Sequence, residues 1–165
     1  MSTPACSKTR GFTLVELTIV ILILGVVSAL VLSRFSNMGS DARAAKAQSI
    51  MDAVQSGSQA VNSIAQVHHQ TGFTGTVTLD GVPIATAYGY PQAIRTRNGA
   101  TGVVDAAGMD TSGNDADGIT LTGGGTDPLI IEVNGAAYPA NCSVSYTAPA
   151  SANTTPIITL TTKGC

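Results

Sequence analysis

A single carboxylate lies at the entrance of a long apolar run near the N-terminus. Glu16 is followed by 17 residues without a charge, up to Arg34. As an α-helix this run would be roughly 26 Å long, close to the ~30 Å hydrocarbon core of a bilayer. A carboxylate inside a membrane costs a few kcal/mol and is by default a functional group with a partner. The sequence therefore predicts a positively charged partner for Glu16.

A second group of acidic residues has the composition of a calcium-binding loop. Asp110, Asp115 and Asp117 lie close together, with Asn114 among them. An EF-hand loop would also need an acidic residue near position 124, where this chain has a glycine. We therefore expect an Asx-rich turn here. The three aspartates stay weak candidates for calcium, and no other cofactor is predicted.

The residue pattern does not favour catalysis or a transition-metal site. His68 and His69 adjoin one another at the end of a predicted helix, where a solvated helix terminus is the expected role. No Ser/His/Asp or Cys/His arrangement is supported, and no CxxC spacing indicates zinc. We predict a protein that is not an enzyme.

The residues around the start of the apolar run match a known processing signal. A short basic leader ends in the sequence KTRGFTLVE, residues 8–16. This pattern resembles the prepilin signal of type IV pilins and of the pseudopilins of type II secretion. The resemblance implies that a prepilin peptidase cuts after Gly11 and methylates the new amine of Phe12. It also implies that Glu16, the fifth mature residue, pairs with the amine of a neighbouring subunit.

Two other interpretations of this segment explain less. A secretory signal peptide has an apolar region of about 7–15 residues and a small-residue cleavage site after it. Here the apolar run is longer, and Glu16 would be removed with no role. In a plain single-span membrane anchor, the Glu16 carboxylate would only add an unfavourable free energy of insertion and would have no function.

Charge and composition agree with an exported chain. Loss of the leader removes Lys8 and Arg10, leaving six basic and ten acidic side chains, a net charge of about −4. Such a balance argues against nucleic-acid or anionic-lipid binding through a basic patch. Charged residues make up only 11% of the chain, and tryptophan is absent. This composition favours an extracellular β domain that is rich in small residues.

The cysteines indicate one disulfide in the mature chain. Cys6 belongs to the leader and would leave with it, so Cys142 and Cys165 remain. An even pair in an exported protein predicts a disulfide, with two free thiols as the alternative. In the loop-entropy description, closing this segment stabilises the fold by roughly 3 kcal/mol.

The C-terminal segment extends the resemblance to a subgroup of pilins. Residues 142–165 contain a Cys-x-x-x-Tyr-Thr pattern and end in Gly-Cys. They are similar to the C-terminal disulfide hairpin of pilins of the mannose-sensitive haemagglutinin (MSHA) type, and residues 33–44 also resemble that group. One departure concerns the N-terminal helix, which lacks the proline found in many type IV pilins. Any local loosening of this helix would have to come from Gly25, Ser28 and Ser33.

The expected elements form an α+β fold of the type IV pilin class. Its segments are a leader (1–11), a hydrophobic helix (12–35), an amphipathic helix (36–70) and a β domain (71–165) closed by the disulfide. We expect the long N-terminal helix to pack on a C-terminal antiparallel sheet, with a bend or a new helix start within residues 36–43 and a cap near Ser40 or Asp41.

Helical periodicity predicts which face of the second helix is packed. Its members recur at steps of three and four residues: Ile50, Val54, Gly57, Val61, Ile64 and His68. Gly57 would allow a close backbone approach.

The remainder of the chain predicts strands. A hairpin is expected at Thr76–Leu79 and Val82–Ala85, around the turn Asp80-Gly81, with Pro83 placing its second arm at an edge or leaving it irregular. Residues 86–118 resemble a long loop with a short helix near Pro91–Thr96. Four further strands are expected at Ile119–Thr122, Leu129–Val133, Cys142–Ala148 and Ile157–Thr162, with a turn at Asn134-Gly135.

Three functions from different classes remain open. The first is the structural subunit of an MSHA-like type IV pilus, inserted in the bacterial inner membrane as a precursor and then assembled outside the cell. The resemblance implies a homo-oligomeric helical filament, the pilus assembly machinery as a partner, and adhesion to surfaces. The second is a pseudopilin of a secretion or DNA-uptake machine. The third is an exported domain on a simple anchor, for which the sequence holds no ligand constellation.

Overall fold

The computed structural model describes residues 11–94, 101–109 and 116–165, without the side chains of residues 32–37 and 116. These residues divide into two compact units, Met1–Gly39 and Ser40–Cys165. We call them unit 1 and unit 2. The predicted α+β fold is confirmed, with a long N-terminal helix followed by antiparallel sheets.

The long helix α1 runs without interruption from Leu14 to Val67. The new helix start that was one predicted alternative for residues 36–43 is therefore wrong, and the other alternative, a bend, stays a prediction. That stretch has one glycine and no proline, and a glycine inside a helix costs only about 1 kcal/mol. The polar residues that suggested a cap, Ser40 and Asp41, are exposed on the helix surface.

The end of α1 is a Schellman motif, and it corrects the predicted boundary. His69 has a φ of 54°, its N–H donates to the carbonyl of Gln66, and the N–H of Gln70 donates to the carbonyl of Ala65. This left-handed residue ends the helix and satisfies its last carbonyls. His68, predicted on the packed face, is instead exposed and lies beyond the helix.

Among the residues that the structure describes in unit 2, seven strands form two antiparallel sheets. The first sheet has the order β1-β2-β3, and its strands are Gly75–Leu79, Val82–Ala87 and Tyr90–Pro91. The second has the order β4-β5-β6-β7, and its strands are Ile119–Gly123, Leu129–Val133, Ser143–Thr147 and Ile157–Thr161. The four predicted C-terminal strands are thus confirmed to within a residue, and the single sheet expected becomes two.

Within its described residues, the segment predicted as a long loop (86–118) contains the end of β2, strand β3, a short α-helix and a 3-10 turn at Ala116–Gly118. Strand β3 lies at Tyr90–Pro91, and residues 92–94 are not helical, so the short helix predicted near Pro91–Thr96 is wrong for residues 91–94. The rest of the predicted helix, beyond residue 94, lies outside the described residues. A short helix, α2, is found later, at Val103–Ala106.

The predicted hairpin is confirmed as β1 and β2, but Pro83 lies in the central strand of its sheet. Pro83 pairs with Thr78 of β1 on one side. Strand β3 pairs only with Thr86 and Ala87 on the other side. A proline is tolerated because no neighbouring strand needs an N–H at this position.

The face of α1 that is buried in unit 2 consists of small and β-branched residues. They are Ala47, Ile50, Val54, Gly57, Ser58, Val61 and Ala65. The first three hydrophobic members pack with the buried residues of the four-stranded sheet. Val61 and Ala65 join a second cluster with Val77 and Ile84 of the three-stranded sheet. The same face of α1 therefore packs against both sheets.

Tyr146 links the two sheets from inside the core. Its side chain is fully buried on β6, and its hydroxyl donates to the carbonyl of Pro91 at 2.7 Å. Burial raises the pKa of the Tyr146 phenol, so the hydroxyl keeps the proton that it donates. A buried hydrogen bond of this kind ties the end of β3 to the larger sheet.

Candidate functional site

The N-terminus of α1 is capped by a residue that the sequence reasoning missed. The N–H of Glu16 donates to Oγ1 of Thr13 at 3.2 Å. Thr13 therefore takes the N-cap position, and Glu16 is the third helical residue, in the first turn. The signal was available in the sequence as Thr-x-x-Glu, the spacing of a capping box. A carboxylate in this turn is also favoured by the helix dipole.

The predicted cleavage site lies just before this cap. Residues 11–13 precede the helix, and Gly11 and Phe12 are both exposed, with Phe12 exposing 80% of its side chain. A Cβ built on Gly11 would meet no atom within 4 Å. The two residues on either side of the predicted cleavage point are therefore both exposed.

The helix beyond Glu16 presents apolar side chains on every side. The segment Leu14–Val31 has a mean hydropathy of 2.8 over 18 residues, and none of it is buried. It is long and apolar enough to cross a membrane. A helix that is apolar all round is stable only when lipid or other protein covers it.

This segment carries a recognised motif. Residues 6–32 match the family model described as the prokaryotic N-terminal methylation motif. The motif indicates a type IV pilin-like or pseudopilin-like protein. It implies processing by a prepilin peptidase and, in general terms, pilus-type assembly, and the apolar helix is consistent with a membrane-anchored precursor.

The matched stretch contains Gly11, Phe12 and Glu16, the three residues singled out for processing and assembly. Neither a curated protein nor a solved structure matches the chain.

The C-terminus of this pilin-like chain is closed by a disulfide. Cys142 and Cys165 are joined, with their Cα atoms 4.8 Å apart, and both are buried. The Nε of Arg43 donates to the carbonyl oxygen of Cys165 at 2.6 Å, which ties this segment to α1. Gly164 lies so close to Tyr138 that a Cβ would come within 2.5 Å of the tyrosine carbonyl oxygen. The disulfide is therefore buried among packed residues and does not lie on the protein surface.

Removal of the disulfide is expected to destabilise unit 2 strongly. The bond closes a segment with a sequence separation of 23. Loss of the bond increases the conformational entropy of the unfolded chain. The double variant Cys142→Ala/Cys165→Ala should therefore lower the free energy of unfolding by roughly 3 kcal/mol. Urea unfolding of the full chain in detergent micelles, followed by tyrosine fluorescence, measures this. Reduced wild-type protein is the control, because it loses the crosslink but keeps both sulfur atoms. An unchanged midpoint on reduction would contradict the prediction.

The candidate calcium ligands are only partly described. Asp110 and Asp115 lie outside the described residues. Asp117 is exposed, and its carbonyl oxygen and that of Gly118 accept hydrogen bonds from the Nζ of Lys46. Within residues 11–94, 101–109 and 116–165, no three His, Cys, Asp or Glu side chains are grouped to hold a metal ion. Calcium binding by this loop remains an untested prediction.

Proposed function

We propose that the chain is a structural pilin subunit, cut after Gly11, methylated on Phe12 and assembled into an extracellular filament through α1. The observation that carries the proposal is the methylation motif placed directly against a fully exposed apolar helix. Before assembly, the bilayer covers this helix. After assembly, the same helices of other subunits cover it. The role is structural and not catalytic.

The proposal gives Glu16 a partner that processing creates. Cleavage at Gly11 leaves a positively charged amine on Phe12, at the same end of α1 as the carboxylate. An ion pair between Glu16 of one subunit and the amine of the next offsets the cost of a charge in an apolar environment. A head-to-tail contact of this kind does not close on itself and therefore extends into a filament.

The finer assignment is an MSHA-like pilus that serves surface attachment. Support comes from the resemblance of residues 142–165 to the C-terminal hairpin of that group and from the disulfide that closes them. The functional segments are the leader 1–11, the membrane and filament-core segment 12–35, the amphipathic part of α1, which ends at Val67, and the β domain 71–165. The precursor resides in the inner membrane and the mature subunit in the pilus.

Sheared surface filaments test the proposal. Cells that express the chain are sheared, and the N-terminal peptide of the dominant band is analysed by mass spectrometry. We expect a peptide that begins at Phe12 and carries one methyl group on its amine. A peptide that begins before Gly11 would contradict the processing step.

The same preparation separates a pilus subunit from a pseudopilin. A processed, methylated chain that stays in the membrane fraction and never enters sheared material would indicate a pseudopilin of a secretion or DNA-uptake machine. An unprocessed chain in the membrane would indicate an exported domain on a simple anchor.

A further inference from the structure

Strand β7 is an open edge of the four-stranded sheet. It pairs with β6 on one side, and no other strand among the described residues adjoins it. The backbone N–H and C=O groups on its outer side therefore have no ladder partner within the described part of the chain. An edge of this kind is a template on which one more antiparallel strand can pair.

The β7 edge lacks the features that usually prevent such pairing. Natural proteins protect an edge with lysines inside the strand, with β-bulges or with very short strands. Strand β7 has five residues, and its ladder with β6 contains no bulge. No charged side chain occurs from Cys142 to Thr162. Ile157 and Thr159 are exposed, and β-branched residues such as these favour strand pairing.

The sequence of β7 is complementary to itself in the antiparallel direction. Pairing of two copies about Thr159 would place Ile158 of each copy opposite Leu160 of the other. Both side chains pack against the core of their own sheet, so they would lie on the same face of the joined sheet. On the outer face, Thr159 would oppose Thr159, and Ile157 would oppose Thr161. Aliphatic pairs and Thr–Thr pairs are among those that stabilise antiparallel strands.

Charge also favours the β7 edge as the place where two copies meet. After loss of the leader, the chain carries six basic and ten acidic side chains, so two copies repel each other on average. The first charge after β7 is that of Lys163, which is exposed. In the register centred on Thr159, Lys163 of one copy would come opposite Thr155 of the other. No like charges would therefore lie opposite one another.

Thr155 lines a neutral cleft of about 450 Å³ beside the C-terminal end of α1. Its three walls are Asn62 and Gln66 of α1, the β2–β3 turn with Tyr88, and the loop of residues 152–155. None of its described lining is charged. The amide, hydroxyl and phenol oxygens accept hydrogen bonds, and an ammonium group only donates them. The cleft therefore suits the side chain of Lys163 from a second copy.

A second cavity, of about 250 Å³, adjoins both the cleft and β7. Ser58 of α1 and Ile158 of β7 line it, and Tyr90 lines both cavities. Residues directly opposite one another in an antiparallel pair share a face, with their Cβ atoms about 5 Å apart. The side chain that opposes Ile158, which is Leu160 of the second copy, would therefore lie at this cavity.

We propose that β7 is a contact surface for a second copy of this chain, paired antiparallel about Thr159. Backbone hydrogen bonds join the two edges, Leu160 of each copy fills the smaller cavity of the other, and Lys163 reaches its cleft. The contact lies wholly in unit 2 and is separate from assembly through α1. It goes beyond the proposed function and does not rest on it.

Cysteine cross-linking of the full chain in detergent micelles tests the register. All variants carry Cys6→Ser, which removes the leader thiol, and are oxidised at about 1 mM because so short an edge contact is weak. Thr159→Cys should form a disulfide-linked dimer. Ile157→Cys mixed with Thr161→Cys should cross-link roughly tenfold more than either variant alone, because only the unlike pair is opposed. Thr122→Cys on β4, the other edge of the sheet, is the matched control and should stay monomeric.

Thr159→Lys separates pairing from folding. Thr159 is exposed on a single face of an edge strand, so the variant should melt at the temperature of the wild type. In the pair, however, it places like charges directly opposite one another. Combined with Ile157→Cys and Thr161→Cys, it should reduce cross-linking of the mixture roughly tenfold or more, whereas Thr122→Lys should leave it unchanged.

Three results would overturn the inference. They are equal cross-linking of the mixture and the single variants, as much dimer from Thr122→Cys as from Thr159→Cys, and undiminished cross-linking with Thr159→Lys. None of them alters the methylated peptide expected from sheared filaments, so this inference and the proposed function fail separately.

Discussion

Glu16→Gln and Glu16→Ala should each reduce the amount of surface filament at least tenfold, while cleavage after Gly11 continues. The physical reason is the charge of the carboxylate. An unpaired ammonium on Phe12 within an apolar bundle costs several kcal/mol, and a tenfold loss of incorporation corresponds to only about 1.4 kcal/mol. The measurement is the ratio of subunit in sheared material to subunit in membranes, with mass spectrometry of the N-terminal peptide.

The glutamine variant distinguishes two roles of the same residue. Glu16 occupies the third helical position after Thr13, where a capping box accepts either Glu or Gln. If capping were its function, Glu16→Gln would assemble normally and only Glu16→Ala would fail. Glu132→Gln, which neutralises a carboxylate on β5, is the control and should leave filament amounts unchanged. Normal assembly of the glutamine variant would refute charge pairing.

Gly57→Ala should destabilise unit 2 by about 2 kcal/mol or more, although alanine is the better helix former. A Cβ at this position would lie 2.3 Å from the carbonyl oxygen and 2.6 Å from the carbonyl carbon of Ala106. These are backbone atoms of α2, so the contact is relieved only by moving that helix. Overpacking of this kind costs about 1–3 kcal/mol or more, and the gain in helix propensity is about 1 kcal/mol. Gly57→Val should be worse still.

The control for this prediction is another glycine in the same helix. Gly25 is exposed, and a Cβ there would meet no atom within 4 Å. Gly25→Ala should therefore leave the urea midpoint of unit 2 unchanged, while Gly57→Ala lowers it. Equal midpoints for the two alanine variants would show that α2 does not press against α1 at Gly57.

Much of the fold could be predicted because local patterns decide it. The apolar run, the hairpin around Asp80-Gly81 and the four C-terminal strands follow from period, turn chemistry and residue type. The close approach at Gly57 was also predicted and is confirmed, but its partner is α2 and not a sheet. A glycine on a packed face indicates that something comes near without indicating which element does.

Two of the wrong predictions have identifiable physical reasons. Ser40 and Asp41 have the composition of a helix start, but α1 continues through them because each break signal there is worth only about 1 kcal/mol. Pro83 was expected at a sheet edge, but it lies in a central strand whose neighbour is two residues long. The first outcome follows from the small size of the local break signals, and the second from which strand adjoins Pro83 in the sheet.

Some of the candidate sites could be predicted from the sequence, and one is formed only by tertiary packing. The predicted processing and assembly segment is short, since Gly11, Phe12 and Glu16 lie within six positions of one another. Their spacing in the sequence was therefore enough to predict it. Cysteine number alone predicted the bond between Cys142 and Cys165, because only two remain once the leader is removed. The cleft beside the C-terminal end of α1 had no such signal in the sequence. Its three walls come from α1, the β2–β3 turn and the loop of residues 152–155, which are far apart in sequence. Only packing of α1 against both sheets brings them together, since long-range contacts arise from burial and not from local propensity.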